Sequence, residues 1–345
     1  MTQAEMTVLG AGAFGLSVAY AAAKRGARVR VIDPFGVGAG SSGGVVGALA
    51  PHTPDNWNDK KEFQFQSLIM ARTHWPAVEE TGGVASGYGR TGRVQALQSG
   101  RQVEMAQARA ETAKELWQGQ AAWQVVTERT SALMPESPTG AWVIDDLSAR
   151  LNPARACASL AAAITALGGE IVREGPEEGA VVHAQGWWGL KALNDAFGRE
   201  VGNGVKGQAI LLDFDAREAP QVYAEGLHII FHADGTTAIG STSERDFDAP
   251  DTTDDQADAL LERARADLPA LADAPELKRW AGVRPRAKSR APMLGAWPDR
   301  AGHYIANGGF KIGYGMAPLA AEVLVDLVLE GRDAIPADFR VEASL

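Results

Sequence analysis

The 345-residue chain has a single cysteine, Cys157. One thiol excludes an intramolecular disulfide and any cysteine-only metal cluster, and it fits a reducing compartment. It falls in an apolar, Ala-rich helical stretch, where a free cysteine is expected to be an inert, buried thiol. Basic charge is also in short supply. Lys and Arg number 33 against 43 Asp and Glu, a formal charge of -10, which removes the electrostatic case for wrapping a phosphate backbone. Nucleic acid is therefore not an expected partner. No 18-residue uncharged apolar run occurs, and no basic region precedes an apolar signal core, so the expectation is a cytoplasmic protein without a membrane partner. The six histidines and the acids show no spacing such as H-x-x-x-H, so no metal is expected. No internal repeat or low-complexity linker is present. Hydrophobic content of 46% and charged content of 22% are those of an ordinary soluble globular enzyme, long enough for about two domains.

The strongest local signal is at the start. "MTVLG" reads as a short buried strand, and "AFGLSVAYAAAKRG" as a helix with Lys24 and Arg25 in its last turn and Gly26 as its stop. "ARVRVID" then alternates like a strand, completing a βαβ unit. Gly10, Gly12 and Gly15 form G-x-G-x-x-G at the strand-to-helix turn: the first permits the turn, the second admits a pyrophosphate, the third lets helix and strand pack closely. The helix N-terminus offers free N–H donors to the anion. Asp33 ends the second strand, where a carboxylate for ribose hydroxyls belongs. This identifies a dinucleotide site without separating NAD from FAD, because both use the adenosine half alike.

After Asp33 comes the Gly- and Ser-rich "PFGVGAGSSGGVVGALAPH", a long loop of the kind that is usually functional. "NWNDKKEFQFQSLIMARTHW" regains helical periodicity, "GRVQAL" reads as a strand and "VEMAQARAETAKELW" as a helix. Asn152 is a candidate N-cap with Pro153 at the first helical position and Gly168 beyond the last turn. Strand-like "EIVRE" and "AVVHAQG" return to the nucleotide-binding sheet. "VKGQAILLDF" to "LHIIFHADGTTAIGSTSE" gives short strands with Asp234-Gly235 as a hairpin turn. A helix in "DDQADALLERARADLPAL", the strand "HYIANG", a Gly-rich loop and a helix in "APLAAEVLVDLVLEG" complete the chain. The expected fold is α/β: a Rossmann-type nucleotide-binding domain, discontinuous over 1–80, 146–203 and 298–345, with an inserted antiparallel-sheet α+β substrate domain over 81–145 and 204–297.

With these pieces placed, the sequence resembles the D-amino-acid oxidase superfamily of FAD-dependent oxidoreductases, glycine oxidase and sarcosine oxidase in particular. Six segments carry the resemblance in the family's order: "GAGAFG…VID", "SSGGVVGALAPH", "VVHAQGWWG", "VKGQ", "WAGVRPRAKSRAPMLG" and "ANGGFKIGYGMAP". The resemblance implies FAD. Its adenosine end would lie at Gly10, Gly12, Ala13, Phe14, Gly15 and Asp33, and its pyrophosphate and flavin along Ser41, Ser42, Gly47, Ala48 and Leu49. Ala184, Gly186 and Trp188 would line it from the sheet side, and Gly308, Gly309, Phe310, Lys311, Ile312 and Gly313 would cover the ring. The cysteine that tethers flavin in sarcosine oxidases has no counterpart, so the FAD is expected to be non-covalent.

The resemblance also implies a reaction: a hydride equivalent leaves a substrate C–N unit for the flavin, and the resulting imine hydrolyses. The protein then needs carboxylate anchors more than an acid–base pair. Arg284 in "GVRP" matches the family's carboxylate-binding arginine and is the first candidate. Lys311 is the second, and His52, after the flavin loop, is a third candidate at the ring. Two cations imply a carboxylated substrate: glycine, an N-methylated glycine or a D-amino acid, with oxygen or another electron acceptor as partner. His183 reads as a sheet-packing residue, while His232 lies near the strand that brings pocket residues in this family. Phe231-His232 and Ser289-Arg290 depart from the family's common Pro-Arg and Asp-Gly. The alternatives are a flavin-binding redox protein without amino-acid oxidase activity and an NAD(P)-dependent dehydrogenase. The oligomeric state is left open.

Overall fold

The computed structural model describes residues 3–345. The chain opens with β1 (Met6–Leu9), α1 (Ala13–Lys24) and β2 (Val29–Ile32), the expected βαβ unit. All four residues of β1 are buried, as befits a central parallel strand covered on both faces. β3 (Ala48–Leu49) follows, then the long α2 (Asp59–Gly82), β4 (Arg93–Ala96), α3 (Gly100–Leu116), β5 (Trp123–Val126), β6 (Trp142–Asp145) and β7 (Ala149–Arg150). The next stretch holds α4 (Pro153–Ala166), β8 (Glu170–Val172), β9 (Ala180–His183), α5 (Gly186–Phe197), β10 (Gly202–Asp213), β11 (Gln221–Ala224), β12 (Leu227–Phe231) and β13 (Thr236–Gly240). Last come α6 (Asp255–Asp267), β14 (Glu276–Ala287), β15 (Met293–Ala296), β16 (His303–Asn307) and α7 (Gly313–Glu330).

Helix boundaries follow local chemistry. The side chain of Asn152 accepts from the Arg155 N–H, with Pro153 at the first helical position, as anticipated. Two helices exceed the expected lengths. α2 does not stop at Trp75 but runs through Pro76 to Gly82. Trp75 and Val78 are fully buried, and each contributes roughly 1.5–3 kcal/mol, enough to offset a helix-interior proline at about 3 kcal/mol. α7 begins at Gly313, a turn before the expected "APLAAEV", so the end of the Gly-rich loop is already helix.

Two large sheets organise the chain. The six-stranded sheet has the order β15-β16-β9-β1-β2-β8, parallel except for the β15–β16 pair. β15 precedes position 298, so one strand of this sheet lies on the substrate side of the expected boundary. The eight-stranded sheet has the order β14-β10-β13-β12-β11-β4-β6-β5. It is antiparallel except where β11 runs parallel to β4, the seam at which the two inserted pieces join. Its outer face packs on α6, and its inner face, through Ala209, Ile230 and Ala238, packs on Val45 of the loop after β2.

α1, α2, α4 and α7 pack together as the main core. The segment Phe310–Glu330 has the length and hydropathy of a membrane span, yet half of it is buried inside the fold. Its acids Glu322 and Asp326 pair with Arg25 at the end of α1, at 2.5 and 2.7 Å.

Candidate active site

A cavity of about 750 Å³ lies at the carboxyl ends of β1, β2, β9 and β16, where open α/β sheets bind their ligands. Leu9, Ile32, Ala184 and Asn307 mark those ends on its wall. Gly10 has φ +108°, and a Cβ there would stand 2.5 Å from the Ala184 carbonyl oxygen; at Gly15 it would stand 1.9 Å from the Gly10 oxygen. The turn is therefore sealed to β9 on one side and to α1 on the other, leaving its backbone bare toward the cavity. The carboxylate of Asp33 accepts from the Ala11 N–H at 2.8 Å and from the Phe35 N–H at 3.0 Å. Each oxygen retains a lone pair for a hydroxyl donor.

The loop after β2 is fixed at three points. Ser42 Oγ accepts from the Ala13 N–H at 2.9 Å, at the start of α1. The Tyr314 hydroxyl lies 2.7 Å from the Ser42 carbonyl, 2.8 Å from the Pro153 carbonyl and 3.0 Å from Cys157 Sγ. His232 Nε2 donates to the Val45 carbonyl at 2.9 Å, tying the loop to the eight-stranded sheet. His232 is thus a clamp on the loop; it does not line either cavity.

Among the residues singled out from the sequence, Gly10, Gly12, Ala13, Phe14, Asp33, Ser41, Ser42, Ala184, Gly186, Trp188, Gly308, Gly309, Phe310 and Gly313 line this cavity. Gly15 lies behind it, and Gly47 packs under the Leu151 carbonyl. Ala48, Leu49, Lys311 and Ile312 face a different space.

That space is a second cavity of about 740 Å³. Its floor is the inner face of the eight-stranded sheet, with Arg93, Gln95, Trp123, Val143, Tyr223 and His228. Ala48 to Thr53, α3 and the segment Lys311 to Gly315 complete it. The two cavities share their partition: the loop after β2 supplies Ser41 and Ser42 to one and β3 supplies Ala48 and Leu49 to the other, while Phe310 and Gly313, facing the first, flank Lys311 and Ile312, facing the second.

Lys311 lines the second cavity, and no acceptor among the described residues bonds its ammonium. Burial, and then the charge of Arg284, bring its pKa down to about 8. Arg284 lines neither cavity. Its guanidinium is buried and donates to Ser241 Oγ at 2.5 Å and to the Thr242 carbonyl at 3.3 Å. Burial lowers it to about 10, and its field reaches Lys311 and His228. Lys311 thus lines the cavity wall and Arg284 does not, although its charge acts on Lys311. His52 does line the cavity, and its backbone N–H and Nδ1 both bond the Gln64 amide oxygen. That acceptor requires Nδ1 to carry the proton. Burial, then Lys60 and Lys61, keep the ring's pKa below the usual histidine value.

No local sequence motif marks the floor of this cavity. Arg93, Tyr223 and His228 come from three strands with no common motif. His228, stripped of its charge by burial and the neighbouring Arg93, has its pKa lowered to about 3. A period-two reading of "LHIIFH" places it on the same face as His232, which was the available signal. His183 stays in the sheet, 3.0 Å from His303 Nδ1.

Fold and cavities together define a Rossmann-type protein with a dinucleotide-type cavity at the carboxyl ends of its parallel sheet and a second cavity beside it. Residues 5–327 match the DAO family, described as FAD dependent oxidoreductase, and the chain belongs to it. It is 36% identical over 132 residues to a glycine oxidase of Pseudomonas aeruginosa, covering 38% of this chain and 36% of that protein. The match to a Pseudomonas putida glycine oxidase covers 39% of that protein, so the chain spans little over a third of these two relatives. A glycine oxidase of Geobacillus kaustophilus is 25% identical over 94% of this chain and 92% of its own length. The crystal structure of glycine oxidase from Geobacillus kaustophilus superposes with a TM-score of 0.84 at 21% identity over 99% of both chains. The protein is thus an FAD-dependent enzyme, and the NAD(P) reading falls away. The residues present fit FAD: a glycine cradle that a Cβ would fill, a carboxylate at the end of β2, and the N-terminus of α7 at the cavity wall.

Proposed function

We propose that this enzyme oxidises the C–N bond of a small amino acid, in the range of glycine, an N-methylated glycine or a D-amino acid. The observation that carries this reading is the shared partition: an unpaired Lys311 ammonium stands on the substrate side of the segment whose other residues wall the cofactor cavity. When bound, FAD supplies the acceptor for the hydride equivalent. The chain's own residues bind and orient. Lys311 takes the substrate carboxylate at the cavity wall through a charge-assisted hydrogen bond. Arg284, tied to Ser241 and Thr242, adds positive potential there. Ile312, Tyr223 and Trp123 exclude water from the same cavity. His52, with its proton fixed on Nδ1 by Gln64, is left with an unprotonated Nε2, which is suited to take the ammonium proton of the substrate. The relatives named glycine oxidase support the same substrate class.

The test is anaerobic mixing of the purified holoenzyme with glycine, sarcosine, proline and D- and L-amino acids while the flavin band is followed. Bleaching by small amino acids is the expected result, and admitting air then shows whether oxygen restores the colour. A flavin band that no compound bleaches would overturn the proposal.

A further inference from the structure

The cavity that holds Lys311 also holds a buried cation that the proposed reaction does not use. Arg93 opens β4, is 7% exposed, and donates from Nε to Asp145 Oδ2 at 2.8 Å. Asp145 is fully buried, and its other oxygen accepts from the Ser148 N–H. The Arg93 guanidinium carbon lies 5.8 Å from the Tyr223 ring and 6.0 Å from the Trp123 ring, and all three side chains line the cavity. Among the described residues, nothing accepts from either terminal amino group of Arg93. An arginine kept only to neutralise Asp145 would gain most by turning its two-pronged face to the carboxylate. Here a single Nε bond fixes the side chain, and the terminal amino groups keep their donors for a ligand in the cavity that Arg93 lines.

The composition of the wall points the same way. Arg93, Arg101, Arg109 and Lys311 line the cavity, and no Asp or Glu does. Asp145 and Asp55, the partners of Arg93 and Arg109, are not part of the lining. A neutral amino acid held by Lys311 would leave the terminal donors of Arg93 unused.

We propose that Arg93 is a second anion subsite and that the substrate carries a second acid group. The class is an amino dicarboxylate or an N-carboxyalkyl amino acid, with one carboxylate on Lys311 beside the flavin partition and the other on Arg93 at the sheet. The proposal rests on the preceding assignment of the first carboxylate to Lys311. It adds specificity to the same cavity, because a pocket with donors placed for a second acid group favours the diacid over a neutral isostere that cannot accept from them.

The experiment titrates the holoenzyme with malonate and succinate against acetate and propionate, reading the perturbation of the flavin spectrum. The diacids are expected to bind about tenfold or more tighter than the monoacids. In Arg93→Gln/Asp145→Asn, which removes both charges and orphans neither, the preference should vanish while acetate binding persists. Arg93→Lys, which keeps Asp145 paired, should retain only part of the preference and remains informative if the double variant does not fold. Equal affinity for diacids and monoacids in the native enzyme, or a preference that survives the double variant, would overturn the subsite. Anaerobic bleaching by D-aspartate, D-glutamate and N-(carboxymethyl)glycine, compared with D-asparagine, D-glutamine and sarcosine, separates the two levels. Bleaching by the neutral set with no preference for the acids removes the subsite and leaves amino-acid oxidation standing. An Arg93-dependent diacid preference without bleaching by any amine keeps the subsite and removes the oxidation reading.

Discussion

Gly207 of β10 and Arg284 of β14 are pressed face to face: a methyl group on Gly207 would lie 1.6 Å from Arg284 Nη2. Gly207→Ala therefore has to push the guanidinium away from Ser241 Oγ and the Thr242 carbonyl. Overpacking of this kind costs roughly 1–3 kcal/mol. Because the cost comes from the collision, Arg284→Ala should make Gly207→Ala nearly harmless. Thermal unfolding of the two single variants and the double variant measures the coupling. Losses that simply add would show that the two residues do not constrain each other.

In the proposed reaction the pKa of Lys311 sets a pH limit on carboxylate capture. With the folded value near 8, the ammonium is present below that pH and is lost as pH rises through it, earlier than for an ordinary lysine. Acetate affinity should be flat on the acid side and fall on the alkaline side. Arg284→Ala removes a neighbouring positive charge and should move the fall to higher pH. Lys311→Met should abolish the fall and weaken acetate binding by about 2 kcal/mol or more. Acetate titrations followed by the flavin spectrum across this range test all three, and a pH profile unchanged in Lys311→Met would remove Lys311 from the carboxylate site.

What could be read in the sequence was what is written locally. The Gly10 to Asp33 unit is a contiguous turn, helix and strand, and the Asn152–Pro153 cap is a neighbour effect, so each was legible from a few residues. The extension of α2 through Pro76 was not, because its cause is the burial of Trp75 and Val78 by other elements. The parallel β4–β11 seam brings Arg93 beside Gln221, a pairing no local pattern encodes. The same seam builds the floor of the second cavity, which is why no local pattern groups Arg93, Tyr223 and His228, whereas Lys311 stands in a motif with flanking glycines. Arg284 was visible as a motif, but its partners Ser241 and Thr242 come from a distant turn, and they determine where its guanidinium sits.

Gly15 provides a test of the cradle. Its Cβ would collide with the Gly10 carbonyl oxygen, backbone against backbone, so no side chain can swing aside to relieve it. Gly15→Ala should push α1 off the turn, lower the FAD retained per mole of purified protein, and reduce stability by roughly 1–3 kcal/mol. Gly100→Ala, where the added methyl meets open space, is the matched control and should leave both unchanged. Full FAD content in Gly15→Ala would show that the close packing of α1 on the turn is dispensable for the cofactor.

Cys157 decides how the flavin is held. It is buried in α4, its Sγ lies 3.0 Å from the Tyr314 hydroxyl, and burial pushes its pKa up to about 11. At neutral pH it is a protonated thiol, a poor nucleophile toward a flavin carbon. It is also packed against Gly38, where an added Cβ would stand 3.2 Å from the cysteine's own Cβ, so its surroundings leave little room for movement. Because the chain has no other thiol, FAD should be held without a cysteine bond, and denaturing the holoenzyme in acid should release all of the yellow colour into the supernatant. Cys157→Ala should purify with the same flavin content as the native enzyme, losing only the packing of one sulfur. A flavin-labelled peptide in the acid pellet would refute non-covalent binding, and its residue would identify the attachment point.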